Sequence, residues 1–90
     1  MNILLQGQLA VTSGQHSIAQ VISENTSVEM LIQQLASTFP AEAKSLLVSD
    51  DGSVRSSLFV AIDGQHLRDY TTIIPTTAIE FMLMPPMAGG

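Results

Sequence analysis

Ninety residues, 46% of them hydrophobic and only 12% charged, carry too much apolar content for a disordered chain and enough for one small core, so a single folded domain is expected. Eight acids against three bases, Lys44, Arg55 and Arg68, give a formal charge of -5, which speaks against a nucleic-acid surface and for an electropositive protein partner. With no cysteine, the chain has no disulfides, thiolate metal sites or thiol nucleophile of its own, and any sulfur chemistry must use sulfur brought from outside.

Ile3, Leu5, Gly7, Leu9 and Val11 share one parity while Asn2, Gln6 and Gln8 share the other, the two-residue period of a half-buried strand over 2–11. The short apolar run has no basic region before it and no cleavage pattern after it, so it does not read as a secretion signal. No stretch reaches the roughly 18 apolar residues of a membrane span, so a cytoplasmic protein with no membrane partner is expected. Thr12-Ser13-Gly14-Gln15 reads as a turn. Ile18, Val21 and Ile22 fit either a short helix or a second strand, and a strand over 18–23 is preferred.

Thr26-Ser27-Val28-Glu29 matches a capping box with Thr26 as the cap, opening a helix from Val28. Val28, Leu31, Ile32, Leu35, Ala36 and Phe39 then recur at steps of three and four, an apolar stripe that needs a sheet to cover it. Pro40 stops or kinks this helix, and Ala41-Glu42-Ala43-Lys44 adds one further turn. Ser49-Asp50-Asp51-Gly52-Ser53 is a surface loop. Leu58, Val60 and Ile62 alternate with Phe59 and Ala61, and Asp63-Gly64 follows, the signature of a strand entering a tight turn before a short return at Gln65. A last alternating strand covers 79–84, with Ile79, Phe81 and Leu83 toward the helix and Met82 and Met84 on the other side. The order predicts an α+β domain: a small mixed β-sheet wrapped over one principal helix, in a grasp-like arrangement over residues 1–84.

Residues 85–90, Pro85-Pro86-Met87-Ala88-Gly89-Gly90, form a tail of different character. Two prolines restrict the direction in which the chain departs, and two glycines give it minimal width and maximal backbone freedom. Such a tail suits a narrow channel in a partner. A bare carboxylate is a poor acyl donor, but adenylation by an ATP-using partner would supply a leaving group and open the Gly90 carbonyl to sulfur or an amine. Met82, Met84 and Met87, with Phe59, offer a soft contact surface beside the tail. Asp63, Asp69 and Glu80 could face a basic partner, although hydrogen bonding within its own turn is the simpler role for Asp63. His16 and His66 belong to no ligand series, so no metal is expected, and no hydrolase constellation is present.

The run Phe81-Met82-Leu83-Met84-Pro85-Pro86-Met87-Ala88-Gly89-Gly90 resembles the final strand, proline-containing tail and terminal glycine pair of the ubiquitin-like sulfur carriers of the MoaD and ThiS family. Phe59-Val60-Ala61-Ile62-Asp63-Gly64, the helix from Val28 and the first strand extend the resemblance over nearly the whole chain. It implies a β-grasp fold, with Gly90 adenylated by a ubiquitin-activating-like adenylyltransferase and converted, using a sulfur donor, to a thiocarboxylate. Gly89 would permit insertion, Pro85 and Pro86 would aim the tail, and no cofactor would be bound intrinsically. The diproline ending most resembles the small subunit of molybdopterin synthase, whose large subunit would then be the acceptor. Carriers for thiazole, cysteine, thiolated-nucleoside or siderophore synthesis are the neighbouring alternatives. A protein modifier forming an isopeptide bond through Gly90 is a further one.

Overall fold

In the computed structural model, which describes residues 1–86, the N-terminal alternation ends early. Strand β1 spans Asn2–Leu5, and helix α1 spans Gln8–Ser13. Gly7 makes the change, with φ 59° and ψ -139°, a backbone region that side chains strongly disfavour. The expected strand over 2–11 is thus half strand and half helix. Leu5 and Leu9 stand four apart, a spacing that satisfies both periods, and both are buried. Val11 departs from the parity pattern and is 73% exposed. Gly14 closes α1 in the left-handed conformation, φ 73°, its amide donating to the Ala10 carbonyl at 3.1 Å.

Strand β2 is Ser17–Ala19, shorter and earlier than the 18–23 expected. It runs antiparallel to β1, with Asn2 opposite Ala19 and Leu4 opposite Ser17. Because β1 begins at Asn2, pairing runs out where the Gln20 amide donates to the Met1 carbonyl at 3.0 Å. Helix α2 covers Val28–Thr38. Its cap is Ser27, not Thr26: the Ser27 hydroxyl accepts from the Met30 amide at 3.1 Å, while the buried Thr26 hydroxyl donates to the Ser23 carbonyl at 2.8 Å. Thr26 is held outside the helix because its carbonyl accepts from the Ile74 amide. Ser27→Ala is therefore expected to cost about 1 kcal/mol in chemical denaturation, by the usual worth of a capping hydroxyl.

Val28, Leu31, Ile32, Leu35 and Ala36 are all buried, as their spacing predicts. Pro40 ends the helix at Phe39 and starts α3, Ala41–Leu47, longer than the single turn expected. Pro is suited to a helix start because its missing N–H is one that a first turn leaves unpaired anyway. The loop after it closes where the Ser49 amide donates to the Ser53 carbonyl at 2.8 Å, with Gly52 at φ 84°.

Strands β3 (Phe59–Ile62) and β4 (Gln65–Leu67) form the expected hairpin. Asp63 and Gly64 both have positive φ, 49° and 84°, matching a tight two-residue turn whose twist suits the flanking strands. The Asp63 carboxylate Oδ1 accepts from the amides of Ile79 at 2.9 Å and Glu80 at 2.8 Å, and so pins this turn to the start of β5, Glu80–Met84. Asp63→Ala is expected to cost about 1–3 kcal/mol by orphaning these donors, and Asp63→Asn, which keeps an acceptor and tolerates the turn, substantially less; urea titration of both checks the assignment.

The five strands form one sheet in the order β2-β1-β5-β3-β4. β5 is central, parallel to β1 and antiparallel to β3. One face of the sheet packs on the helices: Ile3, Leu5, Val60, Phe81 and Leu83 are almost wholly buried and join the α2 stripe in one core. Ile79 is a correction. It precedes β5 rather than belonging to it and is 75% exposed, so parity carried one residue too far. The architecture is α+β with a mixed five-stranded sheet, as expected from the order of elements.

Candidate docking and carrier site

The face of the sheet away from the helices is where the sequence-predicted contact residues Phe59, Met82 and Met84 meet. Alternation along β5 puts Met82 and Met84 on it, both half-buried between flanking strands. Met84 is opposite Phe59 of β3, and Met82 lies between Leu4 of β1 and Ala61 of β3. A stripe of Leu4, Met82, Met84 and Phe59 therefore crosses the centre of the sheet. Thioether and aromatic side chains of this kind adapt to partners of varied shape.

Phe59 is held in place by His66, whose ring lies 4.3 Å from it at 17°. That stack bridges β3 and β4. Sequence reasoning weighed His66 only as a metal ligand and passed over Leu4. The signal for Leu4 was its parity with Met82, which appears only once β1 and β5 are known to be parallel neighbours. Among the described residues no group of three or more His, Cys, Asp or Glu side chains could hold a metal ion. No helix among them is long and apolar enough to cross a membrane.

Two of the acids considered for partner contact already have internal work. Asp63 is occupied by the Ile79 and Glu80 amides. Asp69 Oδ1 accepts from the Thr71 hydroxyl at 2.6 Å and the Thr71 amide at 3.0 Å. The hydroxyl, then the amide, hold the Asp69 carboxyl below the usual carboxylate range. In the 49–53 loop, Ser53 does the same to Asp51. Both shifts favour the charged folded form, so any stabilisation they give is present above the ordinary carboxylate pKa of about 4 and is lost as pH falls through the lowered folded values.

The tail leaves from the end of β5. Pro85 is buried and Pro86 exposed, so the chain remains packed for one residue past the strand before turning outward. Met84, the residue before it, also faces the Gly7 bend, where an added Cβ would sit 3.9 Å from the Met84 Cγ. Met87, Ala88, Gly89 and Gly90, including the reactive and insertion residues expected from sequence, lie outside the described residues.

No family model matches the chain, and no curated protein matches it. The likeness to known proteins is structural. SAMP1, the small archaeal modifier protein 1 of Haloferax volcanii, has a crystal structure similar to this chain at TM-score 0.78 and 21% identity, covering 99% of this chain and 97% of that one. The crystal structure of Urm1 from Sulfolobus solfataricus is similar at TM-score 0.61 and 16% identity, covering 96% of this chain and all of that one. The sheet order, the capped helix across it and these likenesses together give the chain a ubiquitin-like β-grasp fold.

Proposed function

We propose that the chain is a ubiquitin-like carrier that acts through its Gly90 carboxyl. The observation that carries this reading is the central strand β5: it leads through buried Pro85 to exposed Pro86 beside a half-buried thioether and aromatic face. A partner seated on that face receives the tail from a fixed direction. In the activating step the Gly90 carboxylate attacks the α-phosphorus of ATP, forming an acyl-adenylate and releasing pyrophosphate. Hydrosulfide then displaces AMP and leaves a thiocarboxylate, or a lysine amine displaces AMP, loses a proton and leaves an isopeptide bond.

The likeness to a protein named as a modifier supports the amine acceptor. The diproline tail supports the sulfur acceptor, and among sulfur pathways it favours molybdopterin synthesis with a synthase large subunit as recipient. One experiment separates the two. The purified chain is incubated with ATP and a cognate activating enzyme, with hydrosulfide in one arm and lysine-bearing proteins in the other, and intact mass is measured. Exchange of one oxygen for sulfur marks the carrier. In the modifier, trypsin leaves residues 69–90 branched on the target lysine, because Arg68 is the last basic residue. Formation of neither product by a demonstrably active enzyme overturns the reading.

A further inference from the structure

The three bases have different surroundings. Arg55 is committed to the fold, its Nε donating to the Ser45 carbonyl at 2.7 Å. Lys44 sits on α3 in the helix layer. Arg68 directly follows β4 and is exposed, and it lines a cavity of about 280 Å³ with Ser56, Leu58, His66, Leu67 and Tyr70. The apolar part is Leu58 and Leu67. The polar part contains a guanidinium, an imidazole and two hydroxyls, and no carboxylate.

Two of the lining side chains are tied to the sheet. The Tyr70 hydroxyl donates to the Leu58 carbonyl at 2.6 Å, and His66 is stacked on Phe59. Burial, only partly offset by the Leu58 carbonyl, raises the Tyr70 pKa, so this wall carries no negative charge at neutral pH. Asp69, next in sequence, is not among the lining residues, and its Oδ1 is engaged by Thr71. The position matters equally. Leu58 precedes Phe59, and Phe59 is registered with Met84, so the cavity opens at the end of the sheet from which the tail departs. At the opposite end of β5 stands Glu80.

We propose that this corner is a carboxylate pocket, taking an aspartate or glutamate side chain of the protein that docks on the sheet to act on Gly90. The inference rests on the carrier reading above. Charge complementarity specifies the occupant: on a chain of charge -5, an exposed guanidinium beside the Ser56 hydroxyl, in a lining with no carboxylate, is a local exception, and a planar fork pairs best with a carboxylate. A partner that is positive elsewhere to suit this acidic chain carries one acid at this corner, and the pair fixes its rotation on the sheet so that its channel meets the tail. Arg68 acts through the docked partner and is a positioning residue.

The test titrates the ¹⁵N-labelled full chain with N-acetylglutamate amide, whose only charge is the side-chain carboxylate, against N-acetylglutamine amide at matched ionic strength. Saturating shifts at Ser56, His66 and the Arg68 Nε–H with the glutamate probe alone are expected, weakened about tenfold in Arg68→Gln. Equal shifts from both probes, unchanged shifts in Arg68→Gln, or saturation by inorganic phosphate without response to the glutamate probe would each overturn the pocket. With the activating enzyme, Arg68→Glu should raise KM about tenfold at unchanged kcat, and Arg68→Lys should recover part of the loss. A wild-type KM in Arg68→Glu also overturns it. Absence of any Gly90 product from the wild-type chain overturns the carrier reading instead, and leaves the probe titration to judge the pocket.

Discussion

Deleting Gly90 is expected to abolish both thiocarboxylate and isopeptide formation, while the unfolding free energy stays within about 0.5 kcal/mol of wild type. The first half follows from the chemistry: the deletion moves the carboxylate back to Gly89, one residue short, and a misplacement of that size removes the near-attack geometry on which acyl transfer depends. The second half follows from the packing. Among the described residues every side chain of the core cluster lies between Ile3 and Leu83, and Gly90 has no side chain to remove. Intact mass after incubation with enzyme, ATP and hydrosulfide reads the first half, and urea titration the second. Transfer at the wild-type rate from the truncated chain would sink the carrier assignment. Gly90→Ala is a finer probe: it keeps the length and carboxylate but adds a Cβ, so a large loss with this variant points to a channel with room only for glycine.

Much of the fold could be read from the residues because periodicity and punctuation agreed there. The α2 stripe was legible since five apolar positions at helical spacing are followed by Pro40. The β3–β4 hairpin was legible since Asp63-Gly64 supplies the two positive φ values that its turn demands. Where a single residue decided, the pattern failed. Gly7 ends β1, but glycine in an alternating run is equally compatible with a bulge, and only its backbone torsions distinguish the two. Thr26 and Ser27 are both good caps, and the choice depends on a hydrogen bond to Ile74 that lies 48 positions away. The candidate site divides in the same way. Met82 and Met84 followed from parity within one strand. The place of Leu4 beside Met82 depends on β1 and β5 being parallel neighbours, and that was not written locally.

The strongest test of that two-faced sheet is Phe81→Ala, expected to cost about 3–5 kcal/mol because Phe81 is wholly buried on the central strand. Its cross-strand neighbours are Ile3 and Ile62, themselves fixed in opposing ladders, so the surrounding backbone has little freedom to close the cavity. A domain of this size has on the order of 5–10 kcal/mol in total, so the variant should sit near its unfolding threshold at ambient temperature. Two controls on the same strand segment give the result its meaning. Met82→Ala, one residue on and facing away from the core, should cost about 1 kcal/mol or less, and Ile79→Ser should be within about 0.5 kcal/mol, since Ile79 already stands in solvent. A loss below about 1 kcal/mol for Phe81→Ala in urea titration would contradict the burial of β5. A large loss for Ile79→Ser would restore the longer strand that alternation suggested. Phe81→Leu, which keeps most of the volume, should retain the fold and therefore Gly90 transfer. The face toward the helices would then be seen to hold β5 in place, while the face carrying Met82 and Met84 contributes little to that hold.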